Sequence, residues 1–181
     1  MTITETKIKG CYIIENNCFK DERGYFMRAF CHDSLEKYGI NANFVQSNIS
    51  YNEKKWTLRG LHSQSSPDSE DKLVLCARGR ILDVCVDVTP GSPTYRSYVS
   101  AELSEDNKRS LYIPKGCAHG YLTLEDDSQI IYYTTHNYVP ESEKGYRFDD
   151  PQFGIDWGVS DYSRLIISEK DRNHKLLGKS Q

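Results

Sequence analysis

The 181-residue chain has no CxxC pair, no HxH pair and no apolar run long enough to cross a bilayer. Its first ten residues, MTITETKIKG, hold no apolar stretch of the kind an export signal needs. Lysine and arginine total 23 against 26 acidic residues, a net charge of −3 with both signs mixed along the chain. The absence of a basic stripe argues against a nucleic acid or a membrane surface as partner. Six cysteines, Cys11, Cys18, Cys31, Cys76, Cys85 and Cys117, are scattered without metal-type spacing. With no export signal they are expected to be reduced, mostly buried thiols in a cytoplasmic protein. Helical periodicity is scarce too. It is confined to residues 33–39, with Asp33 as N-cap, Glu36 at the capping-box position and Gly39 as the stop, and to a short C-terminal segment at about 168–178.

What the chain does have is alternation. Residues 81–88, ILDVCVDV, set Leu82, Val84, Val86 and Val88 on one face and Asp83, Cys85 and Asp87 on the other. Residues 44–50 collect Gln46, Asn48 and Ser50 on one polar face, and 129–139 collect Tyr132, Thr134, His136 and Tyr138. Turn-forming stretches separate these segments at 21–24, 77–80, 89–93, 104–108, 114–116 and 125–128. Many short strands divided by turns predict an all-β sandwich or barrel, and the length suits a single domain over 1–181.

Polar chemistry concentrates at LRGLHSQ, residues 58–64, where Arg59, His62 and Gln64 crowd together. In a regular strand Arg59 and His62 face opposite ways, so a shared pocket requires a kink or bulge at Gly60. Residues 112–122 carry the spacing PxGxxH, with Pro114, Gly116 and His119, which resembles the second motif of cupin barrels. There the histidine usually helps to bind a metal. The stretch corresponding to the first cupin motif offers only His62, too few ligands for a histidine-rich site. His119 is therefore expected to contact substrate or join a polar network, without metal. Tyr132 and Tyr138 read either as ordinary strand aromatics or as an acid and a stacking plate. Asp171 reads either as the far end of a capping box begun by Ser168 or as the partner that fixes a histidine tautomer.

Together these stretches resemble one family. DERGYF, FVQSNIS, LRGLHSQ, DKLVL, DVCVDVTPGSPTY, LYIPKGCAHGYL, IIYYTTHNY, PESEKG, DPQFGIDW and ISEKD occur in the order and spacing of dTDP-4-dehydrorhamnose 3,5-epimerases, over roughly residues 3 to 172. The resemblance implies a cupin-type jelly roll with a few short helices, without metal or organic cofactor, active as a homodimer on a nucleotide-linked 4-keto-6-deoxy-hexose. It implies His62 as general base, Asp171 as the group orienting it, Lys72 as neutraliser of the enolate oxygen and Tyr132 as the acid on the opposite face. Substrate contacts are implied at Arg23, Phe26, Gln46, Asn48, Arg59, His119, Glu143 and Lys170, with Tyr138 stacking on the base. The strand after DERG is implied to enter the neighbouring subunit's site.

Some positions depart from the family pattern. Arg28 stands where a nucleotide-contacting glutamate is common, which reverses a charge and exchanges acceptors for donors. Ser47 and Ser63 replace a common aspartate and tyrosine. The reaction class is thus better specified than the nucleotide or the centre inverted. A single-centre epimerase or ketoisomerase, a non-catalytic sugar-binding cupin and a metal-dependent cupin oxygenase are the rival readings. The base, lysine and acid set favours epimerisation, and the missing HxH pair opposes the oxygenase. Arg28→Glu is expected to shift nucleotide preference; an unchanged ranking of thymidine, cytidine and guanosine diphosphate sugars removes Arg28 from base recognition.

Overall fold

A computed structural model describes residues 1–178. Two antiparallel sheets face each other. The first has the strand order β1 (Thr2–Glu5), β2 (Tyr12–Glu15), β10 (Arg109–Ile113), β7 (Lys72–Arg78), β12 (Ser128–Thr134) and β5 (Gln46–Asn52). The second runs β13 (Glu143–Gly145), β6 (Thr57–Gln64), β11 (Cys117–Thr123), β8 (Arg80–Asp87) and β9 (Tyr98–Ser104), with β14 (Ile166–Ile167) parallel to β6. A separate hairpin pairs β3 (Cys18–Asp21) with β4 (Gly24–Met27). This is a jelly-roll sandwich, as the alternation and the resemblance led us to expect.

Three apolar clusters hold it. Between the sheets lie Val74, Cys76 and Ile130 of the first and Ile81, Cys85, Leu103 and Tyr121 of the second. Behind the second sheet, Leu58, Val84, Val86 and Leu122 are covered by Phe148, Phe153, Ile155, Trp157 and Leu165. Behind the first, Ile14, Leu73 and Tyr112 pack against Leu35, Ile40 and Ala42. Both faces of β8 are therefore buried, and Asp83 and Asp87 are not a solvent face: Asp83 is fully inaccessible. All six cysteines are free thiols, four of them buried.

The helices differ from expectation in detail. Helix α1 spans His32–Glu36 with Cys31 at the N-cap and no side-chain cap, so Asp33 lies inside the first turn. Helix α2 covers only Glu169–Arg172. Beyond it the chain leaves helical geometry, because Leu177 N–H donates to the Asp150 carboxylate at 2.6 Å and draws the tail across the sheet. Strand β12 likewise ends at Thr134, so His136 and Tyr138 sit on a loop.

The kink required of β6 is present. Gly60 has φ +107° and the Gly60–Leu61 peptide is cis. The register against β11 slips there, pairing His119 with His62 but Tyr121 with Arg59. Gly60 and Leu61 of β6 then oppose Gly120 alone on β11, a bulge that turns Arg59 and His62 into one cavity. A Cβ on Gly60 would lie 2.6 Å from the His119 carbonyl and 2.7 Å from Gly120 Cα. Gly60→Ala is expected to cost roughly 2–4 kcal/mol from positive-φ strain and overpacking. A urea midpoint equal to that of the wild-type chain would show that β6 can straighten at no cost.

Candidate active site

Along β7 and β12 the inward-facing residues change from apolar to polar. On β7 the order is Cys76, Val74, Lys72; on β12, Ile130, Tyr132, Thr134. On β8 and β11, Asp83 and His119 sit on the same inward faces as Cys85 and Tyr121. Strand β5 adds the inward Gln46, Asn48 and Ser50. In the first sheet the period-2 pattern thus leads from a dry core into a polar cavity, and Asp83 and His119 of the second sheet face that sheet from among core residues. One lobe of about 410 Å³ is lined by Arg59, His62, Lys72, His119, Tyr132 and Asp171, among others. A second of about 320 Å³ shares His62, Lys72 and Tyr132 and adds Gln46, Asn48, Tyr138 and Glu143.

His62 Nε2 lies 2.7 Å from Asp171 Oδ1. The other Asp171 oxygen accepts the Gly60 N–H at 3.1 Å. Ser168 Oγ accepts the Asp171 N–H, which is half of a capping box. The Asp171 carboxylate does not complete that box; it crosses to β6. Burial alone would raise the Asp171 carboxyl, but the His62 hydrogen bond and charge, the Gly60 N–H and the His174 charge together hold it below the ordinary aspartate value. An ionised Asp171 takes the Nε2–H of His62 and leaves Nδ1 as the nitrogen with a lone pair. Among the described residues Nδ1 carries no hydrogen bond. His62 is about one-third exposed, so that nitrogen is accessible to a ligand.

Lys72 and Tyr132 reach the cavity from the opposing sheet. Lys72 Nζ pairs with Glu70 Oε1 at 3.0 Å, with side chains only 13% and 8% exposed, so the pair is shielded from water and fixed in place. The Tyr132 hydroxyl is raised above its ordinary pKa, first by burial, then by Tyr121 and by the Glu70 charge, against an opposing effect of Arg59. It is thereby held in its protonated form.

Other groups are locked by partners. His119 Nε2 meets Asp83 Oδ1 at 2.7 Å, so His119 both lines the cavity and anchors a buried network. Arg59 Nε donates to Asn52 Oδ1 at 2.8 Å, and Asn52 also donates to the Tyr121 hydroxyl. Gln64 is tied to the loops around it: its amide donates to Asp68 and Asn137 carbonyls and accepts from Val139 N–H. At the rim the Tyr138 hydroxyl donates to Glu143 at 2.9 Å and Lys170 Nζ pairs with the same carboxylate at 2.5 Å. Burial opposes ionisation of Glu143, but these two partners and the His62 charge bring its pKa down. Asn48 Nδ2 is buried without a partner, a donor aimed at no protein group.

Three expected contact residues are elsewhere. Arg23 is exposed on the β3–β4 turn and pairs with Asp21. Phe26 and Arg28 line a separate hollow with Phe19, Cys31 and Tyr38. Three other residues escaped the sequence reading. Glu70 lies two positions from Lys72, an alternation that places both on one face, and that spacing was the available signal. Asp83 was visible only as a member of a polar strand face. His174 fell inside an expected helix; in the structure its ring stacks edge-on to His62 at 5.9 Å.

The sequence and the fold, compared with known proteins, match one group. The family model described as dTDP-4-dehydrorhamnose 3,5-epimerase matches residues 5–179. A dTDP-4-dehydrorhamnose 3,5-epimerase of Methanothermobacter thermautotrophicus is 43% identical over 173 residues, covering 96% of this chain and 92% of its own. A crystal structure of dTDP-6-deoxy-D-glucose-3,5-epimerase from Legionella pneumophila in complex with dTDP-4-keto-L-rhamnose superposes with TM-score 0.91 at 41% identity, covering 97% and 92% of the two chains. A 3'-monoepimerase from Streptomyces bikiniensis in complex with dTDP-quinovose superposes with TM-score 0.86 at 28% identity, covering 94% and 85%. With its jelly-roll sandwich and a near full-length match, this chain belongs to the dTDP-4-dehydrorhamnose 3,5-epimerase family.

Proposed function

We propose that the protein inverts C3 and C5 of a dTDP-linked 4-keto-6-deoxy-hexose through enolate intermediates. The observation that carries this reading is the placement of His62 and Tyr132 on opposing walls of one cavity. A proton leaves one face of the carbon to His62 Nδ1 and returns to the other face from the Tyr132 hydroxyl. The substrate ketone receives the electron pair, so the chain's own residues need supply only acid, base and charge. Asp171 stabilises the imidazolium formed at His62, and Lys72 stabilises the enolate oxygen. Arg59, held by Asn52, offers a paired donor fork to the diphosphate. Asn48 Nδ2 supplies a buried donor to the ligand.

The active form in this reading is a homodimer. The β3–β4 hairpin exposes Phe19 and Phe26, and edge strand β5 turns Ile49 and Tyr51 outward, all more than half exposed. A second copy covering these faces would bring Arg23, Phe26 and Arg28 of one subunit toward the cavity of the other. No helix among the described residues is long and apolar enough to cross a membrane. Six free thiols suit the reducing cytoplasm, where we place the protein.

Incubation in D₂O with dTDP-4-keto-6-deoxyglucose, followed by NMR, tests the reaction. Deuterium is expected at C3 and C5, falling about 10²–10⁴-fold in His62→Ala. Tyr132→Phe is expected to retain exchange while losing inversion, because washout needs only the base. Exchange confined to one carbon would make the enzyme a monoepimerase, and none at either would end the epimerase reading. A separate test concerns Glu70. Its charge helps to raise Tyr132, so Glu70→Gln is expected to move the alkaline limb of kcat toward lower pH. An unmoved limb would remove Glu70 from the control of Tyr132.

A further inference from the structure

One histidine that the proposed reaction does not use, His174, stands beside His62 and Asp171. His174 follows α2 on the tail pinned by the Leu177 bond to Asp150. Its ring lies flat over Gly145, where a Cβ would fall among the ring atoms. Gly145 pairs with His62 in the β13–β6 register, so the missing side chain lets a second imidazole stand beside the first. His174 Nε2 is 3.5 Å from Asp171 Oδ1, and it is buried without a hydrogen-bond partner. The ligand atoms of His62, Asp171 and His174 all lie within 4.8 Å of one another.

We propose that His62 Nε2, Asp171 Oδ1 and His174 Nε2 form an inhibitory site for Zn²⁺, which switches off the base by reversing its tautomer. Two imidazoles and one carboxylate are the ligand set of an open tetrahedral zinc site. Bonds of about 2.0–2.2 Å place tetrahedral ligands roughly 3.4 Å apart. The 3.5 Å separation to His174 already meets this, and the 2.7 Å hydrogen bond from His62 opens when the ion replaces its proton. The proton balance gives the effect. In the metal-free enzyme Nε2 carries the proton and Nδ1 the lone pair. In the zinc form Nε2 gives its lone pair to the metal, the one imidazole proton sits on Nδ1, and no nitrogen faces substrate as a base. Magnesium and calcium, which prefer oxygen ligands, are not held.

The inhibition rests on the epimerase reading; the metal site does not. Cobalt(II) added to the purified full chain therefore provides a readout without turnover. Tetrahedral visible bands are expected, displaced by zinc, insensitive to magnesium and lost in both His62→Gln and His174→Gln. In the D₂O assay, zinc is expected to suppress exchange reversibly, with EDTA restoring it. His174→Gln should raise the inhibitory zinc concentration by at least the roughly 10–100-fold that loss of an outer-shell partner costs. Cobalt bands that survive His174→Gln, or equal zinc sensitivity of that variant and the wild type, would overturn the site. Absence of exchange together with intact, His174-dependent cobalt bands would instead overturn the epimerase reading and leave the metal site standing.

Discussion

The bond between Asp171 and His62 ties together the site, the β6 bulge and the C-terminal helix. Asp171 is 4% exposed, and a carboxylate at that depth is stable only when its oxygens are met by donors. They come from the His62 ring and the Gly60 N–H, both on β6. The contact therefore fixes an imidazole tautomer, secures the backbone at the bulge and docks α2. That helix has four residues, far fewer than an isolated helix needs to persist. It exists because Ser168 caps it and Asp171 ties it to the sheet.

The cavity beside this bond is a consequence of register. A sandwich with both outer faces covered leaves no solvent side for polar residues on its central strands. Inward polar residues must then pair with one another, as Asp83 does with His119, Lys72 with Glu70 and Asn52 with Arg59. Few buried polar atoms lack partners, and Asn48 Nδ2 and His174 Nε2 are among them. An open donor on the cavity wall, as at Asn48 Nδ2, is available to a ligand.

The strands were legible because alternation is local: a two-residue period in β5, β8 and β12 needs no knowledge of what packs where. The need for a kink at Gly60 was legible for the same reason, since Arg59 and His62 have the wrong parity for one face. What alternation does not disclose is which face is inside. Residues 81–88 read as apolar against polar, yet both faces are buried, because the chain from Phe148 to Leu165 returns to cover the outer one. The helix expected over 168–178 failed at Asn173 because a tertiary bond, Leu177 to Asp150, competes with helix propagation. His174 was hidden for that reason. Its meeting with His62 depends on Gly145, more than eighty residues from His62 in sequence.

The two walls of the cavity are electrically matched before any reaction. One holds His62 with the ionised Asp171; the other holds the Lys72–Glu70 pair beside a neutral Tyr132. In the proposed reaction proton abstraction creates a cation at His62 and an anion on the sugar at the same moment. The cation arises against a carboxylate already hydrogen-bonded to it, and the anion arises near an ammonium already held by Glu70. Neither partner has to reorient, and fixed charges in a shielded cavity act more strongly than they would in water. Glu70 also acts on the phenol: its charge opposes ionisation of Tyr132. The same residue that restrains Lys72 thus keeps Tyr132 protonated, as the proposed inversion requires.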